Sequence, residues 1–304
     1  MAVLAADCGG TNLTVALWED GVVERVTVPT PRRAGDIPEA VVEAAIPLAS
    51  EARAMGVGIA GLVHHRSGTL VWMPHVAGTE VGVASDVAAE LGIPVVVDND
   101  ANMAVLAEGR SGAGKGHRMV LCVTVGTGIG GGLMIDGRLE RGRGFAGEIG
   151  HIPFDPNGRR CPCGRSGCWE TAASGSALDL AATRLVVAQP DGGVAAAAAG
   201  GRVDGRHVVA AAAAGDSPAA AAVAAVGTAL GTGLAGLVAT LDPDVVVLAG
   251  SVGVLDPILE AARDGMMERL EGAEHRSPTP VVAASYGPDA GLAGAAMAAQ
   301  EVVT

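Results

Sequence analysis

Lysine is nearly missing from this chain: of 304 residues only Lys115 is one, and aromatic residues make up just 2%. No run of Lys or Arg occurs, and the formal net charge is −13. A nucleic-acid surface needs a basic patch to neutralise phosphates, so no nucleic-acid partner is expected. Charged residues are scarce as well, at 17% against 49% hydrophobic. That balance describes a globular chain rather than a disordered one, and the length suffices for two domains with a core each. Met1 to Asp7 offer no basic n-region, so no signal peptide is expected and the protein is placed in the cytoplasm. One uncharged segment, residues 219–241, is long enough to cross a bilayer. Its large apolar side chains, Val223, Val226, Leu230, Leu234, Leu237 and Leu241, recur every three or four residues, as in one stripe of a buried helix. Ala, Gly and Thr fill the remainder, too weakly apolar for insertion. A core helix is expected there, with no membrane partner.

Along the chain, residues 3–28 read as three strands, broken by a glycine turn and by Glu19-Asp20-Gly21. Residues 36–55 carry a helical pattern that Asp36 can cap, with Glu39 three residues on, and that Pro47 should kink or split. A buried strand at 57–59, a helix at 86–91, a strand at 95–97 and a helix at 101–110 follow. Residues 112–116 form a glycine-rich linker, and strands return at 119–125 and 130–136. This second opening repeats the plan of the first about 120 residues later, which implies two similar α/β units with ligands in a cleft between them. A cysteine-bearing loop and mainly helices come after Gly150. Residues 190–201 read as a low-complexity mobile connection, and the last strands fall at 244–249 and 281–284. The expected division is a smaller N-terminal α/β domain over 1–115 and a larger one over 116–288 carrying the cysteine loop. A final helix, 289–304, should pack back on the first domain.

Two glycine turns face the chemistry. Gly9-Gly10-Thr11 brings backbone N–H groups and a hydroxyl to a phosphate with no Cβ in the way. Gly126-Thr127-Gly128, with Gly130, supplies a second such loop at the matching point of the repeat, and together they suit a polyphosphate. Asp7, before the first turn, can hold Mg²⁺ through water or orient a nucleophile. Asp98-Asn99-Asp100-Ala101-Asn102 stands at a strand's carboxyl end, where α/β units place ligand-binding groups. Helix capping would need only one of these residues. Asp100 is placed to take a proton from an attacking hydroxyl, and Asp98 is read as support for the turn.

His151, Cys161, Cys163 and Cys168 put three thiols and an imidazole within eighteen residues. Pro162, Gly164 and Gly167 allow the tight turns that gather them round one ion. A closed Cys₃His set suits a structural Zn²⁺; disulfides are disfavoured in a reducing cytosol. Glu148 and Glu170 flank this loop as candidate acceptors of sugar hydroxyls, whereas Cys8 and Cys122 read as small core residues.

With those residues in view, the sequence resembles the ROK family of sugar kinases and repressors over essentially its whole length. Asp7-Cys8-Gly9-Gly10-Thr11 and Gly126-Thr127-Gly128-Ile129-Gly130-Gly131-Gly132 resemble its two phosphate motifs, and Asn99-Asp100-Ala101-Asn102 its catalytic stretch. Glu148-Ile149-Gly150-His151 resembles its E-x-G-H motif, and Cys161 to Glu170 match its zinc signature at every fixed position. The resemblance implies a two-domain actin-like ATPase (ribonuclease H-like) fold, ATP and Mg²⁺, and a homodimer or homotetramer. It implies Asp100 as general base, with Asn99, Glu148, His151 and Glu170 gripping the sugar and Gly61 leaving room for the ring. It also implies that Gly250 lies on the adenosine side of the nucleotide site.

Two departures bear on the substrate. Asn12 stands where Lys is common after Thr11, and Pro74-His75-Val76, followed by Ala77 to Val81, replaces a Pro-Asn-Leu segment that borders the sugar. The 6-hydroxyl of glucose or a close analogue is the expected acceptor. Kanosamine, N-acetylglucosamine, N-acetylmannosamine or a C7-cyclitol is the alternative. A sugar-sensing regulator is a further reading, but no room for a helix-turn-helix precedes Asp7 in this sequence.

Overall fold

A computed structural model describes residues 1–74 and 76–303 of the chain. The chain opens with β1 (Val3–Cys8), β2 (Asn12–Trp18) and β3 (Val22–Pro29), an antiparallel meander. Next come α1 (Ile37–Ala45), a 3-10 turn (Ile46–Glu51) and β4 (Met55–Ile59). A short hairpin, β5 (Leu62–His64) with β6 (Thr69–Trp72), leads to α2 (Val83–Leu91), β7 (Val95–Asn99) and α3 (Asp100–Arg110). The second set begins with β8 (Met119–Val125), β9 (Ile129–Ile135) and β10 (Arg138–Glu140). Helices α4 (Glu170–Ala173), α5 (Gly175–Ala188), α6 (Gly193–Ala198), α7 (Gly205–Ala213) and α8 (Ser217–Leu241) follow. The chain closes with β11 (Val245–Ala249), α9 (Gly250–Gly253), α10 (Asp256–Arg269), β12 (Val281–Ala283) and α11 (Ala290–Val302).

The two five-stranded sheets have the same plan, β3-β2-β1-β4-β7 and β10-β9-β8-β11-β12. Each is an antiparallel meander extended by parallel strands, so the sequence repeat is a repeat of topology. The chain divides into two compact units, Met1–Val123 with Gly130–Glu148 and Ala284–Thr304, and Thr124–Ile129 with Ile149–Ala283.

In the first unit, successive residues of β1 point to opposite faces of the sheet. Leu4 and Ala6 pack in a core with Ile37, Val41, Leu48 and Ile59. Val3 and Ala5 belong to a second core with Met103, Ala107, Leu292, Ala295 and Ala299. This second layer is thin because α11 comes very close to its neighbours. A Cβ on Gly56 would collide with the Ala295 carbonyl, and one on Gly294 with the backbone of Met103. The small-residue composition of α11 is therefore what lets it lie on β4 and α3. The level of the strands matters for the site: Asp7 pairs with Gly58, and Gly58 with Asp98. The carboxyl ends of β1, β4 and β7 thus finish side by side.

In the second unit, α8 packs on α7 and α10. It is long and apolar enough to cross a membrane, yet half of its most apolar window is buried in the protein. Val223, Val226, Leu230 and Leu234 line its inner side, but Val238 takes the place expected of Leu237. Trp169 is wholly buried and donates from Nε1 to the Ala229 carbonyl at 2.9 Å. A Cβ on Gly233 would meet its indole ring. The tryptophan next to Cys168 thereby fixes the cysteine loop to α8.

Several local expectations change. Asp36 occupies the N-cap of α1 without a side-chain cap bond, and the helix stops at Ala45, with Pro47 in the following 3-10 turn. Residues 190–201 are not simply a connection, since α6 forms within them. The hairpin β5–β6 has strands of three and four residues, too short for alternation to show. Of Pro74-His75-Val76, His75 lies outside the described residues.

Candidate active site and metal centre

The first glycine turn is a closed hairpin. The N–H of Gly9 donates to the Asn12 carbonyl at 3.0 Å, and the Thr30 hydroxyl donates to the Gly9 carbonyl at 2.7 Å. Nothing lies within 4 Å of a Cβ built on Gly10, and Thr11 and Asn12 are exposed. The turn is held at its base and open at its tip.

At the end of β7, Asn99 is the N-cap of α3. Its Oδ1 accepts from the N–H groups of Ala101 and Asn102, and its Nδ2 donates to the Gly61 carbonyl at 3.1 Å. Gly61 is tightly confined, because a Cβ there would strike the Trp72 carbonyl. Asp98 is 4% exposed. Its Oδ1 accepts from the Asn99 N–H at 2.8 Å and from Asn102 Nδ2 at 2.9 Å. Its Oδ2 accepts from Arg141 Nε and NH2, each at 2.7 Å. The sequence reading of Asp98 as turn support missed Arg141, forty-three residues away. The surplus of polar residues in Asp98–Asn102 is thus divided between a cap, a buried ion pair and the carboxyl of Asp100, whose Oδ1 accepts from the Ala101 N–H.

Asp100 is the first residue of α3. Burial raises its pKa to about 6, opposed by the hydrogen bond from the Ala101 N–H at 2.9 Å. Asp7 is raised to about 7, first by burial and then by the charges of Asp100 and Asp289. Its carboxyl faces the first turn of α11, where a Cβ on Gly291 would come within 3.2 Å of Oδ2. Asp289 is itself held by Arg25, at 3.0 and 2.8 Å. Asp7 is thus a buried carboxyl under the repulsion of two others, a cost that a nearby cation would relieve. Cys8 and Cys122 are fully buried core residues, and burial pushes the Cys8 thiol up to about 12.

In the second unit, the Gly126 N–H closes its turn on the Gly128 carbonyl at 3.0 Å. The turn's carbonyls are anchored at the start of α5: Gly175 N–H donates to Gly126 at 2.7 Å, and Ser174 Oγ to Thr127 at 2.9 Å. Space is open around Gly126, and Thr127 is exposed. Gly250, at φ +79°, lies against the Val125 carbonyl, which a Cβ would approach to 2.6 Å.

The ligand atoms of His151, Cys161, Cys163 and Cys168 lie within 4.8 Å of one another. Cys161 Sγ is 3.6 Å from His151 Nδ1, and Cys163 Sγ is 3.6 Å from Cys168 Sγ. The three cysteines are free of disulfides. Tetrahedral Zn²⁺ with Zn–S bonds of about 2.3 Å separates its sulfurs by about 3.8 Å, so the quartet fits a structural zinc ion. Glu170 joins this centre to the glycine turn. Its Oε1 is 2.9 Å from Cys161 Sγ and 3.5 Å from His151 Nδ1, while its Oε2 accepts from the Ile129 N–H at 3.3 Å. A Cβ on Gly128 would collide with the same carboxylate. No local sequence signal foretold that bridge.

The structure therefore gathers Asp7, Gly9, Gly10, Thr11, Gly61, Asn99 and Asp100 at the strand ends of the first unit. Gly126, Thr127, Gly128, His151 and Glu170 gather in the second. Gly130 and the half-buried Glu148 begin and end the middle segment of the first unit.

Comparison with known proteins gives a family and relatives that match over nearly the whole chain. A family model described as the ROK family matches residues 3–302. A glucokinase of Streptomyces coelicolor is 36% identical, across 98% of this chain and 97% of its own. An N-acetylmannosamine kinase of Salmonella typhimurium is also 36% identical, with 99% of each chain covered. A ROK family glucokinase from Streptomyces griseus, solved with glucose and AMPPNP, superposes with a TM-score of 0.93 at 35% identity. That match covers 99% of this chain and 100% of the other.

Proposed function

The chain belongs to the ROK family, and we propose that it transfers the γ-phosphoryl group of ATP to a hydroxyl of glucose. Its fold is the actin-like ATPase fold of the ROK sugar kinases. The observation that carries this reading is the Asp100 carboxyl, at the carboxyl end of β7, with a pKa raised to about 6. A sugar hydroxyl is a weak acid, and a proton acceptor near neutrality is the group that phosphoryl transfer needs beside it. Asp100 takes the hydroxyl proton. Asn99, Glu148, His151 and Glu170 hold the other hydroxyls, and Gly61, whose missing side chain the Trp72 carbonyl already requires, borders the ring.

The open glycine turns bind the nucleotide, with Asp7, Gly9, Gly10, Thr11 and Asn12 from one unit and Gly126, Thr127, Gly128, Gly130 and Gly250 contributing as well. Mg²⁺, held with Asp7 through water, would neutralise charge on the phosphates. Zinc on His151, Cys161, Cys163 and Cys168 would hold the loop that carries Glu170, with no position open for catalysis. The domains are proposed to divide near residues 115 and 288. A cytoplasmic homodimer or homotetramer is part of the proposal; the acidic charge speaks against a nucleic-acid partner and the half-buried α8 against a membrane one.

N-acetylmannosamine is a second candidate acceptor, favoured by the 36% identity to a kinase of that name. ADP release measured over glucose, N-acetylglucosamine, N-acetylmannosamine, kanosamine and cyclitols tests the reading. Glucose should give the highest kcat/KM. A higher value for N-acetylmannosamine would transfer the assignment to that sugar, and release with none would overturn it.

A further inference from the structure

The first unit also contains a depression of about 340 Å³ that has no role in the reaction above. It is lined by His64, His65, Arg66, Gly142, Arg143 and Gly144. Four of those six residues are basic, on a chain with a net charge of −13. Among the described residues neither Arg66 nor Arg143 takes part in an ion pair. The carboxylate of Asp98, whose charge reaches His65, is already paired with Arg141; the two guanidinium groups at the concavity repel one another, and an anion between them removes that cost.

Both walls are fixed in advance. On one side, the turn of the β5–β6 hairpin is closed by the N–H groups of Ser67 and Gly68, which donate to the His64 carbonyl at 3.1 and 2.8 Å. On the other, the Gly144 and Ala146 N–H groups donate to the Arg141 carbonyl at 2.7 and 3.1 Å. Gly142 and Gly144 have φ of +54° and +127°, which only glycine adopts readily. Arg141 is in turn tied to the buried Asp98. The walls touch where the ring of His64 meets that of Phe145, with centroids 5.0 Å apart. Burial holds the His65 imidazole below its ordinary pKa; Arg141, Arg66 and His64 lower it further, against the opposing charge of Asp98.

We propose that this depression binds a phosphate monoester or free phosphate, through residues that neither glycine turn shares. Each guanidinium presents a planar fork of N–H donors that matches two oxygens of a phosphoryl group. Each imidazole adds at least one N–H. Two fixed charges match a dianion with three terminal oxygens; a carboxylate, with one charge and two oxygens, would leave half of the donors unused. The inference does not depend on the identity of the sugar acceptor or on Asp100 being the base.

Calorimetric titration of the full chain, saturated with AMPPNP and glucose, tests it with inorganic phosphate, glucose 6-phosphate and gluconate as probes. Inorganic phosphate, glucose 6-phosphate or both should bind at one site per chain, and gluconate at least tenfold more weakly, by about the loss of one charge-assisted contact. Arg66→Gln and Arg143→Gln should each weaken binding by about tenfold and leave the KM for ATP and for glucose unchanged. Equal affinity for phosphate and its sugar ester identifies free phosphate as the ligand; binding of the ester alone identifies a phosphorylated sugar. Circular dichroism on both variants separates loss of the site from loss of the fold. No binding of either probe at millimolar concentration overturns the proposal. So does binding that survives both substitutions together, or gluconate binding as tight as that of phosphate.

Discussion

Arg141 closes on Asp98 through Nε and NH2, both 2.7 Å from the same carboxylate oxygen. The other oxygen takes the Asn99 N–H and the Asn102 amide. Asp98 is therefore the junction through which the loop after β10, the end of β7 and the first turn of α3 hold one another. Removing one partner of such a pair leaves a buried charge uncompensated. Asp98→Ala should lower unfolding stability by about 3–5 kcal/mol, measured by urea denaturation. Arg141→Ala should cost less, because its side chain is 30% exposed. Wild-type stability in both variants would mean that the junction is ornamental.

The cysteine loop makes a second expectation. Purified protein should carry about one zinc per chain, as a closed Cys₃His set requires. Cys163→Ser should lower both metal content and thermal stability, since metal binding and loop folding are coupled. Elemental analysis showing no zinc, with the thiols paired as disulfides, would contradict the assignment.

Gly10 and Gly128 differ in what an added side chain would meet. A side chain at Gly10 meets open space, whereas one at Gly128 strikes the Glu170 carboxylate. Gly10→Val should raise the KM for ATP by about tenfold, the loss of one or two phosphate contacts, and leave glucose affinity intact. Gly128→Val should weaken glucose as well, because it displaces Glu170. Equal effects of both variants on glucose binding, read by titration, would remove Glu170 from the sugar site.

The raised carboxyl groups give a pH dependence with a definite sign. Asp100 must be ionised to accept a proton, so kcat/KM should fall as pH drops through about 6. Stability moves the other way. A carboxyl whose folded pKa lies above its unfolded value favours the folded state while protonated and penalises it as pH rises through the folded value. The penalties from Asp100 and Asp7 should therefore develop between about pH 4 and pH 7. Asp100→Asn removes one of them and should raise Tm at pH 8 but not at pH 4, by differential scanning calorimetry. A Tm lowered at both pH values would show that the Asp100 carboxylate is stabilising.

Much of this was legible in the residues because the signals are local. The strand at 119–125 appears with the expected bounds as β8, since a continuous apolar run sits between glycine-rich segments. His151, Cys161, Cys163 and Cys168 come together because a short loop with Gly164 and Gly167, both at positive φ, leaves few other arrangements. What escaped are pairings over long chain separations. Arg141 with Asp98, Trp169 with Ala229 and Glu170 with Ile129 are each joined by tertiary packing that no spacing encodes. Asp36 misled for a related reason. Its sequence suits a cap, but Pro38 at the second helical position removes one of the N–H donors that a capping side chain would serve.

Turnover of Asp100→Asn beside the wild type tests the central claim most directly. The substitution keeps the side chain's shape and removes its basicity. ATP-dependent phosphorylation of glucose should fall by about 10²–10⁴-fold, the range for loss of a general base, with glucose affinity by titration little changed. A variant that phosphorylates glucose at near wild-type rate would contradict the assignment and pass the role of base to Asp7 or Glu148.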